Sequence, residues 1–420
     1  MSEVKLRVHF MEPRDARKGV THINQVVMKK LDIASGDAVQ IVGKRITSAI
    51  ALPSYNEIPN DVIHIDGITR QNAGAFVSDY ITIRKAKVKK ADKIILAPIN
   101  ETNTHGKFAN FIKNCLIGRT FIEGDVISIR VLWQIKNFKV TKTYPNGIVK
   151  VYKETELKIS DKPLFKHESL PKIIYEDVGG LRKEIIKLRE VVEHILGHYD
   201  LLQKQGIKQS KGVLLYGPVG CGKTLLALAT ANELNVNFFH IKGNEVMSKT
   251  YNEIVTMLVG AFDYAKKLAP SIIFIDDLDA ISVNTRLAAK LLFLMDNLPA
   301  RGVVVIGAIN KPNILDKAFR EPRRFENEIE ISMPDKQGRY EILQIHIHGV
   351  SLTENVNLEK IAEMTQGYTG ADLAILCRKV IVKALKRYFP SANIQEDIVP
   401  FSDLENIKVE MSDFLEFLNE

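Results

Sequence analysis

The chain has 420 residues, 45 % hydrophobic and 26 % charged, a balance that excludes a fibrous or wholly disordered protein. At about 150 residues per domain, that length accommodates about three domains, each able to bury a core without disulfides. The net charge of +8, from 58 Lys and Arg against 50 Asp and Glu, is mild for this length and does not call for a nucleic-acid partner.

Cys115, Cys221 and Cys377 are far apart and suggest neither a disulfide framework nor a zinc site, which fits a cytoplasmic protein. Charges run through the N-terminus, so it reads as no signal peptide. No apolar stretch approaches 18 residues, and no membrane span is expected.

Residues 1–90 are cut into short alternating runs. Gln25–Leu31, the turn at Ser35-Gly36-Asp37, Ala38–Val42, Asp61–Ile65 and Ala75–Ile83 together predict a β-rich domain. A faint pattern shared by Ile33–Val42 and Val88–Leu96 suggests a pseudo-repeat. The basic run Arg84–Lys90 has no interleaved aromatics and reads as a solvated face. Residues 91–160 read as a smaller α+β unit. It has a helix over Asn110–Leu116, a strand over Val126–Val131, and a hairpin pairing Phe138–Thr143 with Gly147–Val151 across Pro145-Asn146-Gly147. Residues 161–174 lose periodicity and read as a linker.

Residues 175–334 change in texture. Gly212–Tyr216, Phe238–Ile241, Ser271–Ile275, Val303–Ala308 and Glu328–Ile331 are mostly continuous apolar runs, as a sheet covered on both faces requires. Helix-length segments, Lys223–Leu234, Glu253–Leu268 and Arg286–Leu298, lie between several of them. This pattern predicts an α/β core with a mostly parallel sheet. Residues 335–420 are helical, over Lys336–His346, Leu358–Met364, Gly370–Arg387 and Met411–Leu418, after an extended connection at Ile394–Ile407.

Gly217-Pro218-Val219-Gly220-Cys221-Gly222-Lys223-Thr224 matches G-x-x-x-x-G-K-[ST] between a predicted strand and a predicted helix, which makes it a nucleotide site. The glycines turn the backbone so that its N–H groups face phosphate oxygens. Lys223 supplies positive charge to the β and γ phosphates, and Thr224 can ligand Mg²⁺. Cys221 is either a small tolerated residue or a thiol made acidic by the helix N-terminus. Asp276 and Asp277 end a buried strand, where an open parallel sheet presents its ligands. Asp276 is the expected Mg²⁺ partner through water. Asp277 stands where ATPases with this kind of phosphate loop carry a Glu that polarises water, and it is one methylene shorter. Asp279 reads as a helix-start residue, and Asn310 as a contact to the γ-phosphate and the water.

These residues resemble the valosin-containing-protein-like branch of the AAA ATPases. The resemblance rests on Tyr175–Leu181, Lys211–Thr224, Asn232-Glu233, Met247-Ser248-Lys249, Ser271–Ile281, Gly307–Asn313 and Gly367–Leu373. Phe111–Asp125 and Lys139–Leu157 extend it to that branch's N-terminal region. It implies a multidomain chain: a double-psi barrel and a small β-rich subdomain, then a P-loop AAA core with a C-terminal helical lid. It further implies ATP or ADP with Mg²⁺ as cofactors, and a hexameric ring that remodels proteins received through residues 1–160. No second ATPase domain is read, so a one-ring relative is expected.

Carried over by position, Asp177, Val178, Gly179, His346, Gly370 and Ala371 surround adenine and ribose. Pro218, Val219, Cys221 and Leu225 complete the phosphate loop. Arg324 matches the second arginine finger, and Glu321 occupies the place of the first, where Arg320 or Arg323 could substitute. Lys249 and Tyr251 remain from the first pore loop, and Arg286 from a shortened second one. The departures leave three functions open: a protein-remodelling ATPase, an ATP-gated scaffold or adaptor ring acting with a two-ring relative, and a nucleic-acid remodeller.

Overall fold

The computed structural model describes residues 2–55, 58–99, 106–131, 134–160, 173–197, 210–243, 250–299, 302–388 and 407–418. These form two compact units: residues 1–177 with 343–364 and 375–420, and residues 178–342 with 365–374. Most of residues 161–174 and of Ile394–Ile407 lie outside the described residues.

The first unit begins with strand β1, Glu3–Phe10, where Leu6, Val8 and Phe10 turn inward and Glu3, Lys5, Arg7 and His9 do not. This period of two lets one face build a core. β1 closes a six-stranded barrel with β2 (Val20–Ile23), β3 (Ala38–Val42), β4 (Ile46–Pro53), β5 (Val62–Ile65) and β6 (Tyr80–Lys85), in the order β1-β5-β2-β4-β3-β6. The β1–β5 and β2–β4 pairs are parallel and the other pairings antiparallel. Closure removes the free strand edges. The core inside holds Leu6, Val39, Ile41, Ile63 and Ile83. Asp66 starts the helix Gly67–Ala73 by accepting from the Thr69 N–H (2.9 Å).

The next segment builds two small sheets from β7 (Lys89–Lys90), β8 (Lys93–Pro98), β9 (Thr120–Phe121), β10 (Val126–Val131), β11 (Gln134–Tyr144), β12 (Val149–Lys150) and β13 (Glu156–Ile159). One has the order β10-β11-β8-β13 and the other β7-β12-β9. The helix Gly106–Leu116 contributes Ile112 and Leu116 to a core with Ile94, Leu96, Phe121, Phe138 and Val140.

Two expectations fail here. The predicted hairpin does not form, because β11 pairs with β10 and β8 while β12 pairs with β7 and β9. The pseudo-repeat also dissolves, since β3 lies in the barrel and β8 in a different sheet.

The second unit carries a parallel sheet of β14 (Gly212–Tyr216), β15 (Asn237–Lys242), β16 (Ser271–Asp276), β17 (Val303–Ile309) and β18 (Asn327–Glu330), ordered β15-β16-β17-β14-β18. All seven residues of β17 are buried, which is why the run carries no polar alternation. The helices Tyr251–Lys267 and Thr285–Asp296 place Ile254, Leu258, Phe262, Leu291 and Met295 in the core with Ile273, Ile275 and Val305. β14 lies between β17 and β18, so strand order reverses beside it. The crevice at such a reversal, past the carboxyl ends of the strands, is where an α/β sheet binds ligands.

The helices Lys336–Ile347, Leu358–Met364, Gly370–Tyr388 and Met411–Leu418 follow. Arg387 joins the last two through Asp413 and also pairs with Glu410 just before the final helix (2.8 Å). Among the described residues, no helix is long and apolar enough to cross a membrane.

Candidate active site

β14 runs into the loop 217–222, and the helix Lys223–Leu234 leaves it. Gly217 must be glycine. Its φ is 149°, and a Cβ there would sit 2.0 Å from the Ile331 carbonyl. Gly222 takes φ 100° as the residue that opens the helix. The loop is therefore a turn of bare backbone at a helix N-terminus, a geometry that attracts anions.

The Lys223 ammonium donates to the carbonyls of Gly217 (2.7 Å) and Pro218 (2.9 Å) and to Asn310 Oδ1 (3.0 Å). It thus lies on the concave side of the loop, where phosphate oxygens can take over from the carbonyls. Burial pulls its pKa down, opposed by Cys221 and by Asp276, Asp277 and Asp279.

Thr224 Oγ1 donates to Asp276 Oδ2 (2.7 Å), and the Asp277 N–H donates to Asp276 Oδ1 (3.2 Å). A hydroxyl beside a carboxylate is a pair of hard oxygen donors, which suits Mg²⁺. Burial raises the pKa of Asp276, but the nearby His240 and the hydrogen bond from Thr224 outweigh it and hold the carboxyl below its ordinary value.

Asp277 shows the opposite shift. Burial, Asp276 and Asp279 push its pKa up, while Lys223 and the Asn310 side chain restrain it. Its backbone is left-handed at φ 49° as it starts the helix Leu278–Ser282, with Asp279 in the first turn. Asn310 follows β17 and so touches both Lys223 and Asp277 from the neighbouring strand end.

The helix Gly370–Tyr388 meets the loop through its first residues. The Ala371 N–H donates to the Gly220 carbonyl (3.0 Å), and Gly370 packs so closely there that a Cβ would lie 3.1 Å from that oxygen. Val178 is buried, and Gly179 leaves no room for a side chain against Ile342. In the first unit, the Asp177 carboxylate is paired with Arg17 and Arg130. Burial raises its pKa but the two guanidiniums outweigh that, so it is held below its ordinary value. Burial, then Arg130, pushes His346 down to about 4, making it a neutral ring.

Not every expected group joins this cluster. Arg324 directs its guanidinium to Asp296 (Nε 3.1 Å, Nη2 2.8 Å), Glu321 (2.8 Å) and the Ala318 carbonyl (2.6 Å). Arg320 pairs with Glu328 (3.0 Å). Tyr251 is the first residue of its helix and 43 % exposed. Arg286 is exposed in the first turn of the helix Thr285–Asp296, and Lys249 lies outside the described residues. The thiol of Cys221 is not acidic, because burial raises its pKa more than Lys223 lowers it. The sequence reading missed His240 and Asp296, whose roles come from neighbours distant in the chain.

A phosphate loop, a Thr–Asp pair and an Asp–Asn pair at adjoining strand ends define an AAA-type nucleotide site, with ATP or ADP and Mg²⁺ as its ligands. Family models agree along the chain. The model for the ATPase family associated with various cellular activities (AAA) matches residues 213–333, and the AAA+ lid domain matches residues 355–399. The N-terminal domain of cell division protein 48 (CDC48) matches residues 5–88, and its domain 2 matches residues 105–164. The chain belongs to the AAA ATPases, in the CDC48 branch.

Similar proteins include the Cell division cycle protein 48 homolog of Archaeoglobus fulgidus, 44 % identical over 99 % of this chain and 58 % of the relative. Protein SAV of Sulfolobus acidocaldarius is 40 % identical, over 99 % and 55 % of the two chains. Protein CdcH of Halobacterium salinarum is 38 % identical, over 100 % and 60 %. The chain thus spans a little over half the length of these curated relatives.

Proposed function

We propose that the chain hydrolyses ATP to ADP and phosphate and couples this to remodelling of protein substrates, as a ring of six copies. The observation carrying the reading is the convergence of Lys223, Asn310 and Asp277 beside the Thr224–Asp276 pair. Water adds to the γ-phosphorus, the bond from that phosphorus to the ADP oxygen breaks, and a proton leaves the water. Lys223 neutralises charge on the β and γ phosphates. Asp277 accepts from the water, and its raised pKa gives it more basicity than an ordinary carboxylate. Asn310 holds Lys223 and Asp277 in register. Thr224 and Asp276 would hold Mg²⁺, which when bound neutralises charge across the β and γ phosphates.

The barrel and the small subdomain at residues 1–160 receive the protein substrate or its adaptor, and Tyr251 supplies an exposed aromatic for gripping it. Arg324 serves the nucleotide of a neighbouring copy. A second reading, an ATP-gated scaffold with little turnover, draws support from the engagement of Arg324 by Asp296 and Glu321 within its own chain.

Steady-state hydrolysis with and without an unfolded protein separates the two. Turnover of about 1 s⁻¹ or more, stimulated by the unfolded protein and abolished by Lys223→Ala, supports remodelling. Tight ATP binding with turnover equal to the Lys223→Ala blank supports the scaffold. In that case recovery by Asp277→Glu would locate the deficit in the missing methylene.

A further inference from the structure

His240 lies on β15, and nothing in the motif pattern singles it out. β15 pairs in parallel with β16, setting His240 opposite Phe274. Because side chains alternate along a strand, Phe274 and Asp276 share a face of β16, and His240 lies on the same side of the sheet. Its Nε2 therefore comes within 3.6 Å of Asp276 Oδ2, the oxygen that also accepts from Thr224.

That separation is about half an ångström longer than a direct hydrogen bond. Closing it takes a rotation of one of the two side chains. The imidazole is held for this approach by aromatic packing, with its centroid 5.3 Å from that of Phe274 and 6.2 Å from that of Phe238. The two phenyl rings stack on each other at 5.8 Å.

We propose that His240 is a positioning residue for ATP hydrolysis, orienting the Asp276 carboxylate that, with Thr224, faces Mg²⁺. The proposal rests on the reading of Asp276 as the metal-side carboxylate. An ionised carboxylate only accepts hydrogen bonds, so an Nε2–H donor, with Thr224 and the Asp277 amide, would fill three of its about four lone-pair sites and leave one for water on a bound Mg²⁺. Without that partner, Asp276 is restrained by Thr224 and by the Asp277 amide on its other oxygen. Ordering the rest of its freedom then falls on Mg²⁺ binding. Partners of this kind, one step behind a ligand, tune metal affinity as well as activity.

The test is the binding of a fluorescent ATP analogue to the full chain, titrated with Mg²⁺ and compared with binding in EDTA. His240→Phe keeps the ring packing and removes the donor, whereas His240→Gln keeps a donor and removes the ring. His240→Phe is expected to raise the Mg²⁺ concentration for half-maximal tightening about tenfold, with binding in EDTA within about twofold. His240→Gln is expected to recover most of that loss. Thermal midpoints without ligand report folding, and His240→Met replaces a Phe variant that fails to fold.

An unchanged Mg²⁺ half-point in His240→Phe overturns the proposal. Equal shifts in the Phe and Gln variants also overturn it, because the ring packing and not the donor would then matter. If wild type itself shows no Mg²⁺-dependent tightening, the reading of Asp276 falls and the proposal falls with it.

Discussion

Arg70 and Arg324, one in each unit, both meet carboxylates in fork-like geometry, but their surroundings differ. Arg70 pairs with Glu176 through both guanidinium ends (2.9 and 3.1 Å), and each side chain is 1 % exposed. Glu176 also accepts from the N–H groups of Met11 (3.3 Å) and Gly67 (3.0 Å), and Arg70 donates to the Ile65 carbonyl (2.6 Å). Arg324, 16 % exposed, meets Asp296 and Glu321, which are 43 % and 59 % exposed. A buried pair with satisfied lone pairs cannot be taken apart cheaply, whereas exposed pairs contribute only about 0–1 kcal/mol each. The first arrangement is permanent structure. The second can be released when a phosphate offers better charge compensation.

The largest effect that could break this contrast is on catalysis. Arg324→Ala is expected to lower kcat by about 10³, the scale of an arginine acting on a neighbour's nucleotide. Stability should change by no more than about 2 kcal/mol, because two pairs to exposed carboxylates and one hydrogen bond to the Ala318 carbonyl are lost. Hydrolysis rates at saturating ATP, beside denaturation curves, give both numbers. An unchanged kcat would mean that Arg324 is only a surface residue.

Glu176→Ala reverses the pattern. It strands the Arg70 charge in the interior and should cost about 3–5 kcal/mol, read as an earlier transition in denaturant for the first unit. A loss below about 1 kcal/mol would show that water reaches the site and that the contrast in burial is not real.

A sequence shows such contrasts unevenly. The phosphate loop was legible because its residues are contiguous and their conformational demands local, as at Gly217 and Gly222. The place of Asn310 at the strand end beside Lys223 was legible from the order of the elements. The false hairpin had an equally clear local signal in Pro145-Asn146-Gly147, yet β12 takes its partners from Lys89–Lys90 and Thr120–Phe121. Turn chemistry cannot overrule strand edges brought up from that far away. The two readings of Cys221 stayed open in the sequence for a related reason: the helix terminus is visible there, but the burial that keeps the thiol from being acidic is not. His240 is separated from Asp276 by 36 positions and reaches it only through strand register. Glu321 was visible as a departure, but its pairing with Arg324 was not.

Asp125 sharpens the comparison with a buried carboxylate to which, among the described residues, no guanidinium is hydrogen-bonded. It accepts from Thr47 Oγ1 (2.9 Å) and the Ile122 N–H (2.9 Å), and burial lifts its pKa to about 7. Because the folded value lies above the ordinary 3.8, the folded chain holds this proton more tightly than the unfolded chain. Its stabilising contribution is full below about pH 4 and is lost as pH rises through about 7. The interval corresponds to at most about 4 kcal/mol. Asp125→Asn can keep both hydrogen bonds, with Oδ1 accepting from Ile122 and Nδ2 donating to Thr47. The variant should therefore lose less stability than wild type between pH 4 and 7 in denaturation series. Parallel curves would show that Asp125 is ionised throughout and solvated.

The smallest expected effect tests how releasable Arg324 is. Glu321→Gln removes one of its two carboxylate partners while Asp296 stays. An exposed pair of up to about 1 kcal/mol corresponds to at most a fivefold change, so kcat should rise by about two- to fivefold with KM unchanged. The gain should vanish in an Arg324→Ala background, because Glu321 would act only through that side chain. It should also shrink near 1 M salt, where screening reaches about 3 Å and the wild-type pair is already weakened. A fall in kcat would carry the opposite meaning. Glu321 would then hold Arg324 in its productive direction, and the residue standing in place of the first finger would serve the second.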